Sequence, residues 1–216
     1  MKYKAAIFDM DGTILDTLDD LWASVNASLR WAGYPERSRE EVRAFVGHGA
    51  KWLIDRAVPE TEGPEAAARV LAYYKPWYEA HAAERTGPYP GIPEALAALK
   101  AAGVKLAVVS NKPDPATRSL AARYFPGLFD AVIGAREGIA VKPAPNSLRA
   151  AMEALGVSPE ETVYVGDSDV DIATAKNAGT RCLSVTWGFR EEAFLRQSGA
   201  MAFAHTGPDL TAAILG

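Results

Sequence analysis

The sequence predicts an α/β protein, in which a Rossmann-like three-layer core with a mostly parallel β-sheet carries a small all-helical cap domain. Two observations predict this fold. Apolar runs of strand length alternate with Ala- and Leu-rich stretches in the C-terminal part of the chain, which is typical of βαβ units. In an earlier segment, residues 16–88, the apolar residues instead keep helical spacing with no strand between them. The length of 216 residues suits one domain with a large insertion.

Five short apolar runs are expected to form the strands of the sheet. The second run follows a helix that begins at Pro93 and ends just before Gly103, because proline favours the first turn of a helix and glycine the position after its end. The other intervals leave room for further helices. The predicted strands are residues 4–8, 104–109, 131–133, 162–165 and 181–185.

The helical segment has the features of a domain with its own core. Ser38 and Glu41 have the spacing of a capping box ahead of an apolar stretch, and Pro64 suits the first turn of a later helix. Four of the five tryptophans lie in this segment. So much aromatic surface indicates a separate core, in which we expect Trp22 to pack.

The domain boundaries follow from these patterns. Residues 1–15 and 89–216 are predicted to form the catalytic core, and residues 16–88 the cap inserted into it. Two connections join the cap to the core, and they are candidate hinges for opening and closing the cap: Asp16 with Thr17, and residues 86–90.

Composition and charge exclude several classes of function. With 23 basic and 27 acidic residues the formal net charge is −4, so we expect neither nucleic acid nor a membrane surface as a partner. Cys182 is the single cysteine and the three histidines are scattered, which argues against a zinc site and favours a reducing compartment. No apolar run suits a signal peptide or a membrane span. We expect an untargeted cytoplasmic protein, a monomer or a homodimer.

Polar residues follow the predicted strands at the sheet edge where parallel sheets bind ligands. Each alone has an ordinary interpretation, since an acid after a strand is commonly a turn former or a helix N-cap. Together, several carboxylates at one edge would repel one another, and a divalent cation would relieve that repulsion. All-oxygen ligands favour Mg²⁺. The residues concerned are Asp9, Asp11, Ser110, Asn111, Lys142, Asp167 and Asp171.

Four short motifs in this order resemble the haloacid dehalogenase (HAD) superfamily across almost the whole chain. They are Asp-Met-Asp-Gly-Thr at residues 9–13, Ser-Asn at 110–111, Lys-Pro at 142–143 and Gly-Asp-Ser-Asp-Val-Asp at 166–171. A helical insertion after the first motif is similar to the C1-type cap of this superfamily. The resemblance implies a phosphatase that works through an aspartyl-phosphate, with Asp9 as the nucleophile and Asp11 as the acid and then the base.

The same resemblance implies how the site binds its ligands. Mg²⁺ would be held by the Asp9 carboxylate, the Asp11 backbone carbonyl and Asp167, while Asp171 would orient metal-bound water or Lys142. Other polar and backbone groups would hold the phosphoryl group. They belong to Gly12, Ser110, Asn111 and Lys142.

Within the superfamily, residues 11–17, 110–112 and 185–188 resemble the phosphoglycolate phosphatases. The expected substrate is therefore 2-phosphoglycolate. The alternatives are a sugar-phosphate phosphatase, a pyrophosphatase or a β-phosphoglucomutase-like phosphomutase. A receiver-like signalling domain, which also forms an aspartyl-phosphate, is the alternative from another class. One departure from the pattern is Val141, where that group usually has glycine before the lysine and proline.

The cap contains one candidate specificity element, the loop at residues 46–51. Its two glycines let backbone amides approach a substrate carboxylate, which makes His48 and Lys51 candidate specificity residues. An equally good interpretation is a helix end and a turn between two cap helices.

Overall fold

A computed structural model describes residues 2–216, and within them the strands form one main sheet and one small pair. The main sheet has the order β5-β4-β1-β6-β7-β8, and every neighbouring pair in it is parallel. The short strands β2 and β3 pair antiparallel. The strands are β1 (Ala5–Phe8), β2 (Leu15–Asp16), β3 (Gly87–Pro88), β4 (Lys105–Pro113), β5 (Ala131–Ala135), β6 (Thr162–Gly166), β7 (Arg181–Val185) and β8 (Phe203–Ala204).

Helices cover both faces of the main sheet and also form the cap. The helices are α1 (Leu18–Ala32), α2 (Arg39–Phe45), α3 (Ala50–Ala57), α4 (Gly63–His81), α5 (Ile92–Ala101), α6 (Asp114–Tyr124), α7 (Asn146–Leu155), α8 (Asp169–Ala178), α9 (Glu192–Gln197) and α10 (Gly207–Leu215). Helices α5, α6 and α10 pack on one face of the sheet, and α7 and α8 pack on the other. This three-layer arrangement confirms the predicted α/β fold class. None of the helices within residues 2–216 is both long enough and apolar enough to cross a bilayer.

The central strand β1 shows why the strand prediction works. It lies between β4 and β6, and its four residues are all buried. Ala6 and Phe8 pack into one helical layer and Ala5 and Ile7 into the other, because successive side chains of a strand point to opposite faces. A strand buried on both faces has a continuous apolar sequence, which is the pattern used to predict it.

Two features of the sheet differ from the prediction. β4 continues beyond Val109 through three polar residues to Pro113, which pairs with Ala135 after a shift in register. β8 was not predicted, although its two residues end an apolar run at residues 200–204. The extension of β4 matters for function because it fixes Ser110 and Asn111 in a strand rather than in a loop.

Helices α1 to α4 form a cap with its own hydrophobic core. The predicted capping box is present: Ser38 accepts from the backbone N–H of Glu41, whose side chain accepts from the N–H of Ser38. Trp22 packs against the cap core, and its Nε1 donates to the carbonyl of Arg37. Trp31 does not share this role, since it is 55% exposed and stacks on a neighbouring tyrosine at the surface. The boundaries at residues 15/16 and 88/89 stay a prediction.

One buried carboxylate in α1 ties the two cap connections together. The connections run side by side as the β2–β3 pair. Asp20 is buried, and its carboxylate accepts from the backbone N–H groups of Arg85 and Thr86 at 2.8 to 3.0 Å and from Thr86 Oγ1 at 2.8 Å. Each of these bonds involves a charged acceptor, so the loss of the carboxylate leaves buried donors without partners.

We therefore expect Asp20→Ala to lower the free energy of unfolding by roughly 2–4 kcal/mol. Urea and thermal unfolding measure this loss. The matched control is Asp19→Ala, because Asp19 is the exposed neighbour in an ion pair with Arg39, and its loss should cost less than about 1 kcal/mol. Equal effects of the two substitutions would show that Asp20 does not anchor the connection.

Candidate active site

Three buried carboxylates meet at the carboxyl edge of the sheet. Asp9 directly follows β1, Asp167 follows the neighbouring strand β6, and Asp171 lies in the first turn of α8. One oxygen of each lies within 4.8 Å of those of the other two. The structure thus brings together acids that are as much as 162 residues apart in the sequence.

The start of α8 fixes Asp171. Its Oδ2 accepts from the backbone N–H groups of Asp167 and Ser168 at 3.2 and 3.1 Å, and from Ser168 Oγ at 2.6 Å. Its Oδ1 accepts from Lys142 Nζ and from the Tyr164 hydroxyl. Both oxygens of Asp171 therefore have partners within the protein, which suits a group that orients its neighbours.

Asp167 requires a glycine beside it. Thr13 Oγ1 donates to its Oδ1 at 3.0 Å, and the N–H of Phe189 donates to its Oδ2 at 2.7 Å. Gly12 has a φ of +81°, and a Cβ at this position would lie 2.3 Å from Asp167 Oδ2. Both the backbone conformation and the space therefore select glycine. The N–H of Gly12 donates to the carbonyl of Leu15 within the loop.

Lys142 supplies a buried positive charge to this cluster. Its Nζ lies 2.9 Å from Asp9 Oδ1 and 2.8 Å from Asp171 Oδ1, and it donates to the Tyr164 hydroxyl at 2.9 Å. Burial alone would lower the pKa of Lys142, but the carboxylates of Asp171 and Asp9 outweigh it and raise this pKa above its usual value. The ammonium group is therefore charged in the physiological range.

Asn111 positions the backbone of Lys142. Its Oδ1 accepts from the N–H of Lys142 at 2.8 Å, and its Nδ2 donates to the carbonyl of the same residue at 3.0 Å. Val141, the departure from the family pattern, is an exposed residue, and with it in place Lys142 still reaches Asp9. Ser110 lines the cavity above the acids.

The acidic cluster carries more negative charge than the protein neutralises. Burial raises the pKa of Asp9 well above its usual value; Lys142 opposes this shift, and the neighbouring carboxylates add to it. Burial and the Asp171 carboxylate raise the pKa of Asp167 to about 7. A cation among these oxygens would stabilise the ionised form of both carboxyl groups and so lower both pKa values. The donor set, carboxylate oxygens without histidine or cysteine, fits a hard divalent metal ion.

Asp11 has a cationic partner that the sequence reasoning missed. Lys112 Nζ lies 2.9 Å from Asp11 Oδ1, and the lysine side chain is 2% exposed. Lys112 also donates a hydrogen bond to the hydroxyl of Tyr78, which belongs to the cap helix α4. The available signal was position, because Lys112 directly follows Ser110 and Asn111 at the carboxyl end of β4, where parallel sheets bind ligands.

The site opens into a small cavity of about 50 Å³ between the core and the cap. Gly47 and Gly49 of the predicted cap loop line it, whereas His48 and Lys51 do not. Lys51 is 78% exposed and pairs with Asp55 at 2.6 Å, and His48 packs on a tryptophan. Lys51 thus points away from the acids because it lies on the outer side of α3.

Core residues also hold the cap over the site, which the sequence did not indicate. Arg190 donates to the carbonyls of Arg43 and Val46 at 3.0 and 2.8 Å, near the end of the cap helix α2. Arg43 donates in return to the carbonyl of Gly188 in the core. The Phe189 side chain packs into the cap core, while its N–H holds Asp167. One short core segment thus contacts both the cap and the acidic cluster.

A buried carboxylate beside a lysine, under a helical cap that closes a small cavity, is the arrangement of a capped α/β enzyme. The family model of haloacid dehalogenase-like hydrolases matches residues 6–185. The chain belongs to this family, and the prediction of a hydrolytic enzyme of the HAD superfamily is confirmed. Membership of this hydrolase family decides against a receiver-like signalling domain.

Relatives of known name resemble the chain over most of its length. Phosphoglycolate phosphatase 1 of Pseudomonas aeruginosa is 35% identical over 193 residues, which cover 86% of this chain and 70% of that protein. Phosphoglycolate phosphatase of Aquifex aeolicus is 32% identical over 187 residues, covering 86% of both chains.

Solved structures agree with the fold. A crystal structure from Lactobacillus delbrueckii subsp. bulgaricus is 40% identical, superposes with a TM-score of 0.95 and covers 100% of both chains. CbbY from Rhodobacter sphaeroides, solved in complex with phosphate, is 28% identical, with a TM-score of 0.79 and 96% of each chain covered.

Proposed function

We propose that this chain is a Mg²⁺-dependent phosphatase that hydrolyses a small phosphate monoester, 2-phosphoglycolate, through an aspartyl-phosphate on Asp9. The observation that carries the proposal is the buried Asp9 carboxylate with the Lys142 ammonium 2.9 Å from its Oδ1. The lysine offers a positive charge where a phosphoryl group would meet the carboxylate. The names of the relatives support the substrate.

Asp9 is proposed as the nucleophile. One of its carboxylate oxygens attacks phosphorus, the ester P–O bond breaks, and the phosphoryl group is transferred to Asp9. Lys142 and Ser110 are proposed to hold the phosphoryl oxygens. Asn111 and Gly12 are proposed to help by shaping the site, since the Asn111 amide bonds the backbone of Lys142 and the Gly12 N–H donates to the carbonyl of Leu15. Because Asn111 fixes the backbone of Lys142, the lysine is already in position before the substrate binds.

Asp11 is proposed to act as acid and then as base. It protonates the oxygen of the leaving alcohol, and then takes a proton from the water that attacks the aspartyl-phosphate. That attack releases inorganic phosphate and restores the Asp9 carboxylate. The Lys112 ammonium lies 2.9 Å from Asp11 Oδ1 and attracts this group electrostatically.

The metal is proposed to be Mg²⁺, held by the carboxylates of Asp9 and Asp167 and the backbone carbonyl of Asp11. When bound, it offsets the negative charge of the phosphoryl group and of the carboxylate that approaches it. Asp171 would hold Lys142 and the start of α8 in place. Thr13 Oγ1 and the N–H of Phe189 already hold Asp167 in this structure.

The decisive experiment is a panel of kcat/KM values for 2-phosphoglycolate, pyrophosphate and sugar phosphates. We expect the kcat/KM for 2-phosphoglycolate to exceed the values for the other substrates by about tenfold or more. Chelation of Mg²⁺ should abolish turnover of every substrate. A preference for a sugar phosphate, or its isomerisation without release of phosphate, would favour the sugar-phosphate phosphatase or phosphomutase instead.

We also propose that the protein works in the cytoplasm, as a monomer or a homodimer. Its single cysteine has no disulfide partner, and burial raises the pKa of the Cys182 thiol to about 12. Such a thiol stays protonated and resists oxidation.

A further inference from the structure

We propose that Lys112 and Tyr78 bind a second anionic group of the substrate, a carboxylate on the leaving group, and so determine specificity for phosphorylated hydroxy acids. This inference rests on the proposed phosphatase function and adds the residues that select its substrate. The two residues come from different parts of the chain, Lys112 from strand β4 of the core and Tyr78 from the cap helix α4.

The two buried lysines of the site occupy different positions. Lys142 contacts Asp9, the proposed nucleophile, so its charge lies where the phosphoryl group binds. Lys112 contacts Asp11, the group proposed to protonate the leaving oxygen, so its charge lies beside the leaving group. A substrate with an anion at each end therefore meets one lysine at each end.

Lys112 is the cation that remains available to a ligand. Among the described residues that line the cavity, two have cationic side chains, Lys112 and Arg190. Arg190 is engaged with cap carbonyls, including those of Arg43 and Val46. Lys112 has a single carboxylate partner, Asp11, and its ammonium group has three hydrogens to donate.

Tyr78 completes the proposed subsite. Its hydroxyl accepts from Lys112 Nζ, which leaves the hydroxyl proton free to donate. Burial raises the pKa of Tyr78 well above its usual value, so the phenol keeps that proton. The ring lies 4.4 Å from the lysine Nζ and stacks on Tyr74, with ring centroids 5.5 Å apart. Both the lysine and the hydroxyl are therefore held in place before a ligand binds.

The rest of the cap wall makes this subsite selective. Apart from Tyr74 and Tyr78, the cap side chains that line the cavity belong to Leu21, Val46, Ala50 and Leu53, and they offer no hydrogen bonds. A carboxylate buried against such a wall is unstable unless a cation pairs with it. Because Lys112 lies 2.9 Å from Asp11, which is proposed to protonate the ester oxygen, a carboxylate paired with this lysine lies close to that oxygen, as it does in phosphorylated 2-hydroxy acids.

The test compares two substrates that differ only in the group proposed to bind Lys112. In 2-hydroxyethyl phosphate a neutral hydroxymethyl group replaces the carboxylate of 2-phosphoglycolate. We expect the wild-type enzyme to prefer 2-phosphoglycolate in kcat/KM by roughly 10- to 100-fold. Lys112→Met should bring this ratio close to one, and Tyr78→Phe should reduce it by about threefold to tenfold. The control Lys176→Met, at an exposed position on α8, should leave the ratio as in the wild type.

The ratio separates a substrate contact from a purely structural role. If Lys112→Met lowers kcat/KM for both substrates by the same factor, the lysine acts through Asp11 alone and the inference is overturned. If Lys112→Met does not fold, Tyr78→Phe gives the same test, and an unchanged ratio overturns the inference. A wild-type ratio near one with good turnover of both esters also refutes it but leaves the phosphatase function intact. Absence of turnover of any ester contradicts the proposed function itself.

Discussion

Asp9→Asn is expected to lower kcat for phosphate monoester hydrolysis by roughly 10⁴-fold or more, because an amide oxygen is a poor nucleophile toward phosphorus. The substitution keeps the shape of the side chain. An asparagine oxygen still accepts from the N–H of Met10, which bonds to Asp9 at 2.7 Å, and still faces Lys142. The expected loss is therefore a loss of chemistry rather than of structure.

Steady-state rates with an aryl phosphate, together with thermal unfolding, check this expectation. Burial raises the pKa of Asp9, so removal of its charge should not destabilise the fold. Asp169→Asn is the matched control, because Asp169 lies in the same segment as Asp167 and Asp171 but has a partly exposed carboxylate. Its rate should stay close to that of the wild type. A folded Asp9→Asn enzyme with most of its activity would exclude Asp9 as the nucleophile.

Much of the core could be predicted because its physical signals are local. All five predicted strands are present, since a strand buried on both faces requires a continuous apolar run. Because ligands bind at the carboxyl ends of parallel strands, Asp9, Lys142 and Asp167 could be predicted to lie close together. The polar end of β4 escaped this reasoning, because pairing with a neighbouring strand, and not apolar sequence, makes it a strand. β8 also escaped it, because it is only two residues long.

The contacts between cap and core could not be predicted in the same way. Lys112 meets Tyr78 across 34 residues of sequence, and Arg190 meets Arg43 across 147. Such pairs depend on how the cap sits on the sheet edge, which no local pattern specifies. Lys51 was predicted to lie near the site because of its charge and its loop, but its side chain on α3 is exposed to solvent.

Asp167→Asn should have opposite effects on activity and on stability. Activity with Mg²⁺ should fall by about 100-fold or more, since one of the proposed metal ligands is lost. The metal-free protein should become more stable at pH 8. An asparagine can accept from the N–H of Phe189 and donate to Thr13 Oγ1, so both hydrogen bonds of Asp167 are kept while its buried charge is removed.

The sign of this stability change depends on pH. The pKa of Asp167 is about 7 in the folded protein and about 4 in an unfolded chain. This group therefore favours folding fully below about pH 4, and that contribution is lost as the pH rises to about 7. The loss reaches up to about 4 kcal/mol, and each kcal/mol shifts the Tm of a protein of this size by about 2–4 °C. Asp167→Asn should thus raise the metal-free Tm at pH 8 and have little effect at pH 4.

Added Mg²⁺ provides the complementary measurement. A cation that binds the folded protein stabilises it by mass action, so Mg²⁺ should raise the Tm of the wild type at pH 8 and raise it less at pH 5, where protons compete for Asp167. The shift should disappear in Asp167→Asn and persist in Asp169→Asn. If Mg²⁺ does not change the Tm of the wild type at pH 8 and Asp167→Asn keeps full activity, the carboxylate cluster does not hold the metal. The same buried negative charge therefore destabilises the metal-free fold and attracts the cation.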